Sequence, residues 1–264
     1  MKTFDLAGAM SDIAKGFSLW RVWWRLGLDD LMLRYSRTRL GPFWMTVSLA
    51  IYVGGLGLVW GTIFNIDLAK FFPYMAIGLI VWQFLSGTVG EAGQAFITSN
   101  GIIQEIPLPL SLHIDRQVLR MLITLFHTVP VAIAVTLFAG VDYTAVHLLV
   151  IPALIILAIN CWWVTFLLAI VGLRYRDIGQ AIGTFMPFMF FFTPILWKKE
   201  MLGRLGFIAD INPFTHYLEI LRQPFLGNLP PAESVWTVIV MTTAGLLATL
   251  IVFARTRHRI AFWV

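Results

Sequence analysis

The chain has 264 residues, of which 59% are hydrophobic and 12% are charged, and its formal net charge is +5. Soluble domains carry roughly 25% charged residues, so this composition excludes an ordinary soluble enzyme or binding domain. The basic residues flank long apolar stretches, which argues against a nucleic-acid-binding protein.

Six stretches of the chain contain no Asp, Glu, Lys or Arg, and the shortest of them has 20 residues. An apolar helix of about 20 residues crosses the ~30 Å hydrocarbon core of a bilayer. A charge at the bilayer centre costs at least ~2.5 kcal/mol, so repeated charge-free runs indicate membrane spans. We therefore predict an all-α polytopic membrane protein with six transmembrane helices. The six stretches are Leu40–Ile66, Phe71–Gly90, Met121–Val141, Tyr143–Leu173, Ile178–Trp197 and Ser234–Ala254.

An amphipathic helix is predicted ahead of the first span. Apolar side chains recur at steps of three or four from Phe17 to Tyr35, and arginines occupy another face. Tryptophan beside arginine suits the headgroup layer, so we expect a helix on the cytoplasmic membrane surface. A helix packed in the cytosol is the alternative interpretation. The residues expected at the interface are Trp20, Arg21, Trp24 and Arg25.

A second short helix is predicted between spans two and three. Ser99-Asn100-Gly101 is a turn signal, and Pro107-Leu108-Pro109 stops any helix that follows. The residues between them, 102–106, have room for one or two turns. A short apolar helix in the cytoplasm needs a surface to cover it. We expect it to dock another protein, and the alternative is a re-entrant part of the same bundle.

The fifth span and the segment after it carry several helix breakers. Pro187 and Pro194 predict kinks in a phenylalanine-rich span, whose rings suit either stacking on sugars or ordinary packing. Asn212-Pro213 has the composition of a helix N-cap and first position, and Pro224 and Gly227 mark the end of that helix. We predict short re-entrant or interfacial helices between spans five and six.

The distribution of basic residues predicts the orientation. Of the 19 Lys and Arg residues, 14 lie on the side of the membrane that would hold both termini. Because cytoplasmic loops are enriched in Lys and Arg, we expect a multi-pass protein with both termini in the cytoplasm.

Motifs for catalysis or for an energy source are missing from the sequence. It has no G-x-x-x-x-G-K-[ST] loop for ATP, and its six spans hold no Asp or Glu for ion coupling. The single Cys161 and the scattered histidines predict no metal site. The residues left for a membrane enzyme are Asp210, His216 and Glu219. A carrier without its own energy source points to a separate motor subunit.

Several motifs at the span boundaries resemble one family. They are Leu33–Trp44 (LRYSRTRLGPFW), Gln104–Leu110 (QEIPLPL), Arg174–Ile178 (RYRDI), Phe192–Trp197 (FTPILW), Asn212–Phe214 (NPF) and Leu218–Arg222 (LEILR). In this order, the chain resembles the membrane subunits of type-2 ABC exporters, in the bacterial polysaccharide-export branch. That branch holds permeases for O-antigen, capsule and teichoic-acid-like polymers.

The resemblance implies a channel-forming homodimer in the bacterial inner membrane, joined to two copies of a cytoplasmic ATPase. ATP and Mg²⁺ would be bound by the ATPase, and this chain would bind no cofactor. The substrate would be a lipid-linked polysaccharide such as O-antigen, in lipopolysaccharide biosynthesis. The coupling residues would be Asn100, Ile102, Ile103, Glu105, Ile106 and Leu108. The pore-lining aromatics would be Tyr52, Trp60, Phe188 and Phe192.

We therefore expect residues 1–264 to form a single ABC-2 type transmembrane domain. Within it, residues 1–39 would be the interface segment, 40–254 the six-span bundle and 255–264 a cytoplasmic tail. Membrane lipids are an expected partner, and nucleic acid is not. The alternatives are an exporter of capsule or teichoic polymer, of drugs or of small lipids. A membrane-bound lipid-linked sugar transferase is a further alternative.

Overall fold

The computed structural model describes residues 4–36, 38–64 and 68–264, and within these ranges the protein is all-α, with no strand. Lys2 and Arg37 of the expected basic side lie outside the described residues, as do Asn65 and Ile66 of the first expected span. The helices are α1 (Leu6–Ser18), α2 (Trp20–Tyr35), α3 (Phe43–Phe64), α4 (Leu68–Ala92), α5 (Asn100–Glu105), α6 (Leu110–Phe138), α7 (Val150–Arg174), α8 (Asp177–Phe192), α9 (Phe207–Ile211), α10 (Pro213–Phe225) and α11 (Ala232–Trp263). Two 3-10 helices, Ala145–Leu149 and Lys199–Gly206, precede α7 and α9.

Five helical segments in the described residues are long and apolar enough to cross a membrane. They correspond to predicted spans one, two, three, four and six. The fifth predicted span, Ile178–Trp197, is helical only as far as Phe192, because α8 has 16 residues and is about 24 Å long. Five of the six predicted spans thus have a helix of spanning length among the described residues, and a sixth crossing at α8 stays a prediction.

The early end of α8 has a local cause. Pro194 has no backbone N–H to continue the helix, and it biases Thr193 toward the extended conformation seen there (φ −96°, ψ 134°). The carbonyls freed at this end have partners. Asn212 Nδ2 donates to the Phe192 carbonyl at 3.1 Å, and Trp197 Nε1 donates to the Phe191 carbonyl at 3.0 Å. The non-helical backbone that follows α8 is therefore hydrogen-bonded within the protein.

Helix α4 is the centre of the bundle. It is the most buried of the five long helices and contacts α3, α6, α7, α8 and α10. Helices α3 and α8 flank it, and α3 is the least buried of the five. Gly93 and Gly172 let the ends of α4 and α7 meet closely. A Cβ built on Gly172 would lie 2.8 Å from the Gly93 Cα atom, so Gly172 has no room for a side chain.

Different helices lie at the two ends of the bundle. One end holds α1, α2, α5, the α7–α8 turn and the C-terminal part of α11, and we call it the α5 end. The opposite end holds the 3-10 helices, α9, α10 and the start of α11, and we call it the α10 end.

Two of the predicted local features are confirmed, and one region has an additional helix. Asn212 Oδ1 accepts from the Phe214 amide at 3.0 Å with Pro213 in the first turn, and Gly227 has φ +79° just after α10 ends. The predicted amphipathic helix exists as α2, but the chain breaks at Leu19, and α1 forms a separate helix before it.

Candidate functional site

Helix α5 is a short helix at the end of the bundle named after it, between the long helices α4 and α6 in the chain. Phe96, four residues before α5, is fully buried and packs edge-on against Phe166 at 6.2 Å between ring centroids. Glu105 is exposed, and Ile106 is 50% exposed although it is apolar. These two residues are the accessible part of the expected coupling segment.

The other expected coupling residues are less exposed. Asn100, Ile102, Ile103 and Leu108 are half-buried, and Ile103 packs against the protein's own core. The Asn100 Oδ1 atom is buried and has no hydrogen-bond partner in the described structure. The surface that a partner could contact is therefore centred on Glu105 and Ile106.

Helix α1 fixes the start of α6 beside α5. Asp12 is buried, and its carboxylate accepts from the Ser111 amide at 3.0 Å and from the Leu110 amide at 3.3 Å. These amides belong to the first turn of α6, where no intrahelical acceptor exists. Asp12 also pairs with Arg257 of α11 at 3.3 Å. A single carboxylate thus joins α1, α6 and α11.

Asp5 makes a second connection at the N-terminus of α1. Its carboxylate accepts from the Gly8 amide at 2.9 Å and lies 3.2 Å from His258 Nε2. The hydrogen bond from Gly8 lowers the pKa of Asp5, and His258 and Arg257 lower it further, against a smaller opposing effect of burial. The start of α1 is therefore attached to the C-terminal turns of α11.

Helix α2 is attached to α4 and α6 by ion pairs. Arg116 makes a two-point contact with Asp30, in which Nε lies 2.7 Å from Oδ2. Arg120 pairs with Asp30 at 3.4 Å and with Glu91, at the end of α4, at 3.0 Å. Arg34 of α2 reaches Glu91 at 3.5 Å. This α2 network joins the surface helix to the helix that leads into α5.

The expected interface residues Trp20, Arg21, Trp24 and Arg25 are all exposed on α2. The Arg21 guanidinium lies 5.4 Å from the ring centroid of Trp20. Exposed tryptophan next to arginine is the composition of a helix at a membrane surface. The structure contains no membrane, so the location of this face at the headgroups remains a prediction.

The four expected pore aromatics are divided between two helices. Tyr52 on α3 is 53% exposed and lines a cleft of about 700 Å³ between α3, α4 and α8. On α8, Phe188 is 56% exposed and its ring lies 4.5 Å from that of Phe192, which is also exposed. Trp60 differs because it is half-buried and packs against the core. Tyr52, Phe188 and Phe192 are thus free to contact something outside this chain.

A buried arginine organises the α10 end. Arg222 of α10 is completely buried and donates to the Pro194 carbonyl at 2.6 Å and to Glu219. Its guanidinium lies 3.7 Å from the ring centroid of Tyr74, whose hydroxyl donates to the Trp197 carbonyl at 3.1 Å. These contacts hold the chain after α8 against α4 and α10.

A cleft of about 950 Å³ opens at the same end, between the start of α4, the turn after α6, α10 and the start of α11. The three residues considered for a membrane enzyme line it, and each has a partner within the protein. Asp210 pairs with Lys199, His216 Nε2 is 2.8 Å from the Asp210 carbonyl oxygen, and Glu219 pairs with Arg222. None of the three is an unengaged base.

The sequence indicated only part of these sites. Asp12, Asp30 and Arg222 were not recognised as structural residues. Asp12 meets α6 across roughly a hundred residues of chain, and no local pattern marks such a contact. The one available signal for Arg222 was its spacing of three from Glu219 on a predicted helix.

Comparison with known proteins agrees with this architecture. Residues 20–226 match the family model described as ABC-2 type transporter, from the start of α2 to the end of α10. Two proteins of Klebsiella pneumoniae named O-antigen export system permease protein RfbA are 21% and 20% identical to this chain. The alignments cover 88% of this chain and 90% of each relative. A protein of the same name from Myxococcus xanthus is 19% identical over 88% of this chain and 91% of its own length. With more than half of its residues matched by the family model, this membrane protein belongs to the ABC-2 type transporter family.

Proposed function

We propose that this chain is the channel-forming permease of an ATP-driven exporter of lipid-linked polysaccharide, such as O-antigen, in the bacterial inner membrane. Two copies form the channel, and two copies of a separate cytoplasmic ATPase bind ATP and Mg²⁺. The family membership and the names of the relatives support this assignment. The resemblance to exporters of capsule or teichoic polymers leaves the polymer itself to experiment.

The observation that carries the proposal is the exposed surface of α5. Glu105 ends α5 and Ile106 follows it, both are exposed, and the start of α6 beyond them is attached to α1 through Asp12. Because α6 begins at Leu110, a partner bound to Glu105 and Ile106 would act directly on the end of a long helix. We propose that the α5 end is cytoplasmic and that the ATPase covers Ile106.

The second support is the apolar surface of α3 and α8. Both helices flank α4, and both expose large apolar side chains that this chain does not cover. A second copy of the chain would cover part of them and leave the rest facing a channel. The exposed residues are Ile51, Leu58 and Ile63 on α3, and Phe185, Phe188 and Phe191 on α8.

The proposal is tested by the double substitution Glu105→Arg with Ile106→Asp. It reverses the charge and places a carboxylate where an apolar contact is expected, so the ATPase should no longer co-purify with the permease. The permease should remain dimeric in detergent, because the changed residues are not part of the exposed apolar surfaces of α3 and α8. The readouts are affinity co-purification and the mass of the detergent-solubilised permease.

The matched control is Arg204→Glu with Leu205→Asp, which makes an equally drastic change at exposed positions of the α10 end. That variant should retain the ATPase. Undiminished co-purification of the ATPase with the α5 variant would show that the docking surface lies elsewhere.

A further inference from the structure

We propose that Gln83 of α4 is a hydrogen-bonding contact for the transported sugar chain near the middle of the membrane. This inference rests on the proposed function, which supplies the channel and the sugar chain. It adds to the pore-lining aromatics a residue of a different chemistry. Three observations support it: the exposure of Gln83, its depth in the span and the composition of the cleft that it lines.

Gln83 is the one exposed residue on the central part of the most buried long helix. From Pro73 to Leu85, every other residue of α4 is buried. The neighbours of Gln83 in the chain, Trp82 and Phe84, are only 8% and 6% exposed. The packing of α4 therefore leaves this position open to the cleft between α3, α4 and α8, and a polar side chain occupies it.

Gln83 also lies deep in the membrane-spanning part of α4. The span runs from Phe71 to Ala92, and along the helix axis Gln83 is about 18 Å from Phe71 and about 14 Å from Ala92. Within the described residues, the Gln83 amide has no hydrogen-bond partner. Lipid offers no partner either, so an amide that faced lipid at this depth would be strongly unfavourable. Polar side chains inside spans face the bundle interior or a water-filled cavity, so this face of α4 is expected to meet a polar phase.

The cleft that Gln83 lines has a volume of about 700 Å³ and combines two kinds of surface. Helices α3 and α4 contribute hydroxyls and the amide, and α8 contributes aromatic rings. A sugar ring has the matching surfaces, because its hydroxyls form hydrogen bonds and its C–H faces pack against aromatic rings. The polar lining residues are Ser48, Tyr52, Gln83 and Ser86, and the aromatic ones from α8 are Phe190 and Phe191.

The chemistry of an amide suits a chain that moves. Among the described residues that line this cleft, none is charged, so a passing chain meets hydrogen bonds and ring contacts that break easily. The amide of Gln83 has two donors and one acceptor oxygen, so it pairs with a sugar hydroxyl in either role. It therefore replaces part of the water that the sugar hydroxyls lose and does not hold one sugar in a fixed orientation.

Water access at position 83 is tested with Gln83→Cys in nanodiscs and a charged, water-soluble methanethiosulfonate reagent. A thiol reacts as the thiolate, which forms readily only in contact with water. The wild-type chain is the blank, because its single Cys161 is buried. Ala244→Cys is the matched control, since it is exposed at the centre of the predicted span in α11, a helix that does not line the cleft. We expect Gln83→Cys to react on the order of tenfold faster than Ala244→Cys.

Contact with the polymer is tested by replacing Gln83 with the photoreactive residue p-benzoylphenylalanine in cells that export polysaccharide. Illumination should attach the polysaccharide of the same cells to the permease, which an antibody against that polysaccharide detects on the purified protein. The same photoreactive residue at position 244 should give no such product.

The amide itself is tested by Gln83→Met, which keeps the length of the side chain and removes its hydrogen-bonding groups. Sugar hydroxyls would then pass this depth without that partner, so export should slow about three- to tenfold, the effect of one hydrogen bond. Gln83→Asn keeps an amide and should recover part of the rate. Thr243→Val, which changes an exposed position of α11, is the control and should export normally. Permease level and ATPase co-purification should be unchanged in all three variants.

The inference is overturned if Gln83→Cys reacts no faster than Ala244→Cys or if Gln83→Met exports at the wild-type rate. Capture of only lipid, or only a second copy of the permease, by the photoreactive residue would also overturn it. Each of these results would leave the export proposal standing if the α5 variant loses the ATPase and cells without this chain accumulate the polymer. If the polymer reaches the surface without this chain, the export proposal fails whatever the labelling shows. The two claims therefore fail separately.

Discussion

Arg222 is the residue whose burial most constrains the α10 end. Burial of a charged side chain costs desolvation free energy, which only well-placed partners offset. Arg222 has three such partners, a carboxylate, a carbonyl and an aromatic ring. The carbonyl belongs to Pro194, which lies just beyond the end of α8 and therefore has no intrahelical donor. Arg222 of α10 therefore supplies a hydrogen-bond donor to the backbone that follows the end of α8.

Replacement of Arg222 by alanine should lower the free energy of unfolding by about 3–5 kcal/mol, because it leaves the mostly buried Glu219 carboxylate without its charged partner. Thermal unfolding of the purified permease in detergent, followed by tryptophan fluorescence, measures the change. Arg204→Ala at an exposed position of the same end is the control and should have little effect. An Arg222→Ala variant that unfolds at the wild-type temperature would show that these contacts do not support the fold.

At the scale of helices, the α2 network determines how the surface helix is attached. Two carboxylates, Asp30 and Glu91, hold three arginines from α2 and α6. The Asp30–Arg116 contact uses two points on each side chain, and both groups are mostly buried. Paired charges with this geometry are more strongly coupled than surface pairs.

Asp30→Arg should release α2 from α6, because it places a third positive charge beside Arg116 and Arg120. Limited digestion with chymotrypsin, whose aromatic and leucine sites in α2 are the same in every variant, should then cleave within α2 faster than in the unchanged protein. The exchange Asp30→Arg with Arg116→Asp rebuilds an opposite-charge pair and should recover most of the protection. Equal cleavage rates in all three proteins would mean that other contacts hold α2.

Local sequence patterns predicted several elements and missed others for physical reasons. The period of α2, the turn and proline signals around α5 and the Asn212-Pro213 start of α10 are local, and all three helices are present. The stretch Ile178–Trp197 was predicted as a full span because it lacks charges. The absence of charges does not reveal that Pro194 ends the helix. It also does not reveal the hydrogen bonds from Asn212, Tyr74 and Arg222 that stabilise the backbone there.

The candidate sites likewise combine features that local sequence patterns indicate with features that depend on packing. Exposure of Glu105 and Ile106 agrees with a short helix between turn signals, but the burial of Ile103 depends on how α5 lies against the core. The cleft at the α10 end was not predicted. It forms from Asp142, Thr215, Asn228 and Glu233, which are far apart along the chain and meet only through the packing of α4, α6, α10 and α11.

For the whole molecule, the unequal burial of the helices is the main clue to assembly. Helices α3 and α8 leave the rings of Tyr52, Phe188 and Phe192 exposed, and two chains facing each other would line a channel with them. Aromatic faces bind sugar rings weakly, by about 1 kcal/mol, which allows a polymer to pass.

Tyr52→Ala combined with Phe188→Ala should therefore reduce export and leave ATPase binding intact, because both side chains are exposed and lie away from α5. Trp236→Ala on an exposed face of α11 serves as the control and should export at the normal rate. Polymer at the cell surface and co-purified ATPase are measured in the same cells. Wild-type export by the double variant would assign these rings to lipid contact or packing.

The most direct test of the account is the fate of the polymer in a strain that lacks this chain. If the chain is the export permease, the polysaccharide is still made, but it accumulates in the cytoplasm and disappears from the cell surface, and the wild-type chain restores it. Immunolabelling of intact and permeabilised cells separates the two pools. Unchanged surface polysaccharide, or a strain that makes no polymer at all, would contradict the assignment of this chain to export.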